Sequence, residues 1–367
     1  MIPTKSFLLS AVAFFATAAT ASALPQVPPA FTLKVFAGAP NHATSGPDDI
    51  AWLDGHVFVA WQNGLGPKGE PPAGHKKVTA SLLVEYNHTG KVVSSWPLTG
   101  KVDGIAGDQA RDAVIATANE DGNSTLYTVK PSSPKKKQVT QYTYLPAPDS
   151  PGSSLAHTGG GIDSVSILGS KILISASAPT HSGRAAAFRA VLTKVKGKPV
   201  AQLFATFSDK AHAIDALSGN KVSLHLTDPD SNAVVPASAA LIGDPFAGDF
   251  VLNSQADDEL VFAHGIGSGL TTLQRLQLSY GANGTNASVD DVRWAPVDNS
   301  TLYVVDNGAN RIYRVTGPFT AGEALASMDS VGTKSFGTQV ATLNDGSGEL
   351  DPFITGLKAA KGLFFTS

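Results

Sequence analysis

The sequence predicts an all-β fold, a six-bladed β-propeller, and three observations predict it. A short unit recurs along the chain, and internal repeats of this length mark radial or stacked architectures. Its copies are β-branched and aromatic runs cut by Asp-Gly, Asn-Gly and Pro-rich turns, the signature of short antiparallel strands. Helical periodicity beyond a turn or two is confined to "AGEALASM" from Ala321, which reads as a one-turn to two-turn insertion in a loop.

The elements follow in order. Residues 1–23 carry Lys5 as the early charge, an apolar stretch from Phe7 to Thr20, and a small-x-small site at Ala21–Ala23. That pattern predicts a secretory signal peptide, too short and Thr-diluted for a membrane span. Residues 24–367 are then expected to be one propeller domain, secreted and monomeric. The segment Phe31–Ala39, "FTLKVFAGA", reads as an orphan strand, expected to complete the last blade and close the ring.

Each unit opens with a carboxylate, one further residue, and an apolar residue that starts a strand. The copies begin "DDIAWLDGHVFVAW" at Asp48, "DGIAGDQARDAVIATA" at Asp103 and "DSVSILGSKILISAS" at Asp163. They continue "DSNAVV" at Asp230 and "DDVRWAPVDNSTLYVVD" at Asp290, the last read as one hairpin. A sixth, "TGLKAAKGLFFTS", is placed at Thr355 and lacks the acid. Successive starts lie 55 to 67 residues apart, room for four short strands each. A β-sandwich or an open repeat array is the competing architecture.

Composition excludes some functions. Net charge is -3 and charged residues make up 16%, so there is no basic face for nucleic acid. Lys135–Lys137 reads as a solvated turn. With no Cys there are no disulfides, and a core of this size does not need them. Sequons at Asn87, Asn123, Asn283, Asn286 and Asn299 lie in turn-like sequence and are plausible glycan sites.

The unit register carries the candidate chemistry. The first strand of a propeller blade lines the central channel, so Asp48, Asp103, Asp163, Asp230 and Asp290 are expected around one mouth, with Thr355 in the sixth place. Neighbouring carboxylates about 7 Å apart repel by roughly 2 kcal/mol at an effective dielectric of about 20. Some must keep protons, or a cation must bind. All-oxygen donors suit Ca²⁺ or Mg²⁺ better than zinc. Three readings stand: turn carboxylates that fasten blade to blade, a structural cation, or a functional site. Asp291, beside Asp290, falls at a variable place and reads as a solvated turn residue. A second set, Trp61, Asn119, Ser177, Asn253 and Asp306, ends the second strands and reads as hairpin turns. His157 is the imidazole nearest the acids in sequence. "GIGSG" at Gly265 has the wrong spacing for a nucleophile elbow, and Gly159–Gly161 has no following helix to make a phosphate cradle.

"DDVRWAPVDNSTLYVVDNGANRIYRV" resembles the blade motif of the NHL-repeat proteins and the SMP-30/gluconolactonase superfamily, and "GPDDIAWLDGHVFVAW" is similar to the latter's opening blade. The resemblance implies a divalent ion held from blades one, four and five, here Asp48, Asp230 and Asp290, with Asp163 near the substrate. This chain has Asp where that pattern has Glu or Asn, and adds Asp103. Two functions are expected from this reading. One is a module binding a small molecule, glycan or peptide at the channel mouth or a loop face. The other is a metal-dependent lactonase or esterase, with Asp163 or Asp103 as general base.

Overall fold

A computed structural model describes residues 24–148, 161–179, 183–267, 271–281 and 284–367. The segment 1–23 expected as a signal peptide, His157 and the sequon Asn283 lie outside the described residues. The fold is all-β, of propeller type. Among the described residues the strands form five sheets, of four, eight, six, four and six strands, and each unit takes its number from its innermost strand. Units two and three share one sheet through parallel pairing of their outer strands, Val139–Leu145 and Lys198–Ser208.

The innermost strands of the units are Pro47–Leu53, Val102–Asp108, Ile162–Leu168, Pro229–Val234, Thr285–Trp294 and Ala360–Thr366. Each packs against the next, and the strand of unit six packs against that of unit one. The core is divided in the same way. One cluster joins Phe58 and Leu83 of unit one to Val114 and Tyr127 of unit two. Another joins Phe262 of unit four to Trp294 and Met328 of unit five, and a third joins Tyr303 and Val305 of unit six to Val57 and Trp61 of unit one. Apolar faces that alternate along each strand are thus buried between sheets rather than within one.

Units five and six differ from the sequence expectation. Thr285–Trp294 does not pair with Thr301–Asp306. It pairs with Ala324–Val331, which leads on to Gln339–Asn344 and Glu349–Thr355. Thr301–Asp306 and Arg311–Thr316 sit in unit six, between Ala360–Thr366 and the N-terminal strand Thr32–Gly38. The chain therefore visits unit six before finishing unit five. The "AGEALASM" segment is not helical: Ala324 opens the second strand of unit five.

Side-chain size accounts for this sorting. Ala324, Ala326 and Met328 fit beside the bulky Phe246, Phe262 and Trp294, whereas Tyr303 and Val305 fill the seam to unit one. Hydrogen bonds from Ala295 N–H to the Glu323 carbonyl, 2.9 Å, and from Gly322 N–H to the Ala295 carbonyl, 2.8 Å, tie the crossing chain segments together. The run Lys135–Lys137 is a solvated 3-10 turn with no buried residue. No helix among the described residues is long and apolar enough to cross a membrane.

Candidate functional site

One irregularity recurs in every innermost strand and builds the site. Between Pro47↔Trp61 and Ile50↔Val59 the inner strand of unit one spends two residues against one of its partner. The same extra residue occurs at Asp103, between Val102↔Ala118 and Gly104↔Thr117. It recurs at Asp163–Ser164, at Asp230–Ser231 and at Asp290. In unit six it falls at Lys361–Gly362, between Asp306↔Ala360 and Val304↔Leu363. These are β-bulges, which kink a strand and re-aim its side chains. The sixth member of the register is therefore Lys361, and Thr355 ends the outermost strand of unit five instead.

The backbone N–H freed by a bulge is captured from the second strand. Gly104 N–H donates to Thr117 Oγ1 at 3.1 Å, Ser164 N–H to Ser175 Oγ at 2.9 Å, and Asp291 N–H to Ser327 Oγ at 2.9 Å. These hydroxyls keep buried donors satisfied, so the bulge costs little.

The second bulge residue turns into the seam between units. Asp49 Oδ2 accepts the Ile105 N–H of unit two at 2.6 Å, and Asp291 Oδ2 accepts the Leu363 N–H of unit six at 2.8 Å. Their other oxygens accept the N–H of Ile50 and Val292, at 2.7 and 2.9 Å. Arg293 Nη1 lies 2.6 Å from Asp291 Oδ1. Asp291, expected as a solvated turn residue, is 3% exposed and fastens two units together. Burial pushes its carboxyl up to about 8 despite Arg293, and that of Asp49 to about 6. The partner strand in each case offers glycine followed by Ile or Leu: a Cβ on Gly104 would lie 2.5 Å from Ser164 Cα, and one on Gly362 2.7 Å from the Asp48 carbonyl.

The first bulge residues converge. Asp48, Asp103, Asp163, Asp230, Asp290 and Lys361 line one polar pocket with a cavity volume of about 80 Å³, partly open to solvent. Lys101, Glu120, Ser164, Ser231 and Arg293 complete its wall with Asp49, Asp291 and Gly362. All five acids of the sequence register are brought together, including the three expected as metal ligands and the two expected as bases.

Their surroundings are unequal. Lys101 Nζ lies 2.7 Å from Asp103 Oδ1 and 2.5 Å from Glu120 Oε1, and Gln62 Nε2 donates to Asp103 Oδ1 at 3.2 Å. Asp103 Oδ2 is buried without a partner. Lys361 Nζ is bonded to Asp290 Oδ1 and acts also on Asp48 and Asp230. Asp163 is 4% exposed and, among the described residues, has no hydrogen bond or ion pair to its carboxyl.

Burial, reinforced by Asp290 and opposed by Lys361, pushes Asp48 up to about 7. Burial also raises Asp103, Asp163 and Asp230 well above the usual carboxylate range, each helped by an acidic neighbour: Glu120, Asp230 and Asp290 respectively. Asp290 holds Lys361 firmly charged, and for Lys101 the carboxylates of Asp103, Glu120 and Asp48 outweigh burial. This is the expected outcome for carboxylates crowded in low dielectric.

The described residues hold no group of three or more His, Cys, Asp or Glu side chains assembled for a metal ion. Between Asp48, Asp230 and Asp290 the cation in reach is the Lys361 ammonium, so this donor set does not fit a divalent ion as it stands. Lys101, Glu120, Arg293 and Lys361 were not anticipated as site residues. Aligning "KGLFF" on "DGIAG" by its glycine, rather than at Thr355, would have found Lys361.

The second set of polar residues is structural. Asn119 Oδ1 accepts the Lys101 N–H at 2.9 Å, Asn253 Nδ2 donates to the Val289 carbonyl at 2.6 Å, and Asp306 Oδ1 accepts the N–H groups of Ala309 and Ala359. Asn119, at φ +66°, and Asp306 keep the turn positions expected of them, and Asp306 adds a tie to the loop before Ala360.

Repeated antiparallel sheets around a shared polar pocket define a protein of the β-propeller class with an axial site. The chain is similar to the solved structure of a streptogramin B lyase, at 11% identity and a TM-score of 0.42, over 92% of this chain and 98% of that one. It is similar to a protein from Lactobacillus plantarum at 10% identity and TM-score 0.45, over 88% and 89% of the two chains. The WD40 β-propeller domain of Doa1 matches at 11% identity and TM-score 0.38, over 90% and 88%. No protein-family model matches the chain, and no curated protein matches it.

Proposed function

We propose that this chain is a secreted, monomeric six-bladed β-propeller that binds a small polar ligand at the acidic mouth of its central channel. The pairing of Thr32–Gly38 with Arg311–Thr316, in the sheet whose other edge is the C-terminal strand, supports closure of the ring by the N-terminal strand. The signal-peptide pattern supports export, and the sequons at Asn87 and Asn299 are then candidate glycan sites.

The observation that carries the ligand reading is Asp163: a desolvated carboxyl with no partner among the described residues, facing a pocket, in a cluster of groups whose proton affinities are shifted. Such clusters are where binding and catalytic sites concentrate. Asp49 and Asp291 fasten neighbouring units to each other without the acids at the mouth. Of the two acids expected as general base in the hydrolase alternative, Asp103 is engaged by Lys101 and Gln62, which leaves Asp163 for that role.

The test is a thermal-shift screen of amines, sugars and short peptides against the native chain and Asp163→Asn, after dialysis against chelator. Stabilising hits that fade in the variant are expected. Hits indifferent to Asp163, or a melting point that collapses on chelation and recovers with Ca²⁺ or Mg²⁺, would contradict the reading in favour of another face or a metal site.

A further inference from the structure

Resting on that reading of the channel mouth, we propose that the ligand is anchored by an organic monocation, a primary ammonium or guanidinium group, seated against Asp163 and Asp230. The pocket presents its acids in three neighbouring sets. Asp103 and Glu120 hold the ammonium of Lys101 between them, at 2.7 and 2.5 Å. Asp290, with Asp48 nearby, holds the ammonium of Lys361. The third set, Asp163 of unit three and Asp230 of unit four, has no ammonium of its own, and neither carboxyl has an ion pair among the described residues. Twice the fold answers a pair of crowded acids with one primary ammonium; the third pair is left for a ligand to answer.

The electrostatics of this side point the same way. Asp230 is the strongest charged neighbour of Asp163, followed by Glu120 and Asp103, with Lys101 the opposing cation. On Asp230 act Asp290, Asp228 and Glu120, against Lys361. Asp121, Asp257 and Asp329 reinforce the negative field at Asp228. A concave wall of one sign steers and concentrates the opposite charge. Ser164 and Ser231, the seam-side neighbours of the two acids, offer hydroxyl oxygens on the same wall to N–H donors of the ligand. No trio of His, Cys, Asp or Glu side chains is assembled for a divalent ion among the described residues.

Seating a cation requires the acid pair to give up a proton that burial otherwise holds. Association should therefore release a proton and tighten as pH rises.

Calorimetric titration of the full chain with agmatine and n-butylamine tests this, with n-butanol and butyrate as neutral and anionic counterparts. The amines are expected to bind with proton release, read from the heats in two buffers of different ionisation enthalpy. Asp163→Asn and Asp230→Asn should each weaken them at least about tenfold, and Asp163→Glu should restore part of the loss. Melting curves of each variant establish that it is folded. If the neutral or anionic probe binds at the pocket equally well, without proton release, the site stands and the monocation is overturned. If agmatine and butylamine give no saturable heat while a sugar or peptide binds in an Asp163-dependent way, the same conclusion follows. If no probe of any charge responds to Asp163, both readings fall.

Discussion

A carboxyl that loses its water and gains no donor keeps its proton, whereas one that gains two N–H groups and a guanidinium becomes a rivet. Asp290 and Asp291 stand side by side in the sequence and meet different surroundings. Asp290 faces the pocket with Lys361 upon it, and Asp291 fastens unit five to unit six through Leu363 N–H. Asp291→Ala would leave that N–H and the Arg293 guanidinium unpaired in a buried seam. It should cost about 3 kcal/mol, read as a fall in the denaturant midpoint at unchanged slope. The convergence of the five first-position acids was legible in the sequence because the repeat register is itself a statement about place in the sheet. The buried role of Asp49 and Asp291 was not, since acids usually avoid such places. The pairing of "DDI" with "DGI", and of "DDV" with "KGL", was its one trace.

At the scale of the element, the bulge determines what each inner strand presents. Without the extra residue, strict alternation would not point one bulge residue to the axis and the next into the seam. Gly104 is needed there because the inner strand of unit three passes within 2.5 Å of any Cβ at that position. Gly104→Ala should destabilise by roughly 2 kcal/mol, as overpacking against backbone does, while Gly74→Ala, where a Cβ meets nothing within 4 Å but φ is +79°, isolates the cost of backbone strain alone. Strand existence was readable from alternation and turn residues across most of the chain. Strand partnership was not, as units five and six demonstrate. "TLYVVD" reads as the strand that follows "DDVRW", and "AGEALASM" as a one-turn to two-turn insertion in a loop. Only the volumes across the seams, alanines beside Phe262 and Trp294 and a tyrosine beside Trp61, decide between them.

At the scale of the whole molecule, the acids that make the site also set how stability depends on pH. Folded-state carboxyls raised above their ordinary value of 3.8 bind protons that the unfolded chain has released. Their contribution is complete below that value and is lost as pH rises through the folded values. Those values are about 6 for Asp49, about 7 for Asp48 and about 8 for Asp291, with Asp103, Asp163 and Asp230 shifted in the same direction. Asp345, buried beside Asp244 under the Trp294 indole N–H, is raised to about 8 and adds to the trend. The measurement that tests the account most directly is the melting temperature across pH 4 to 8, for the native chain and Asp163→Asn. The crowded, partly protonated mouth predicts a native melting temperature that falls as pH rises over this window, and a shallower fall in the variant, which has one buried acid fewer to ionise. A flat or rising native profile, or one that Asp163→Asn leaves unchanged, would contradict it.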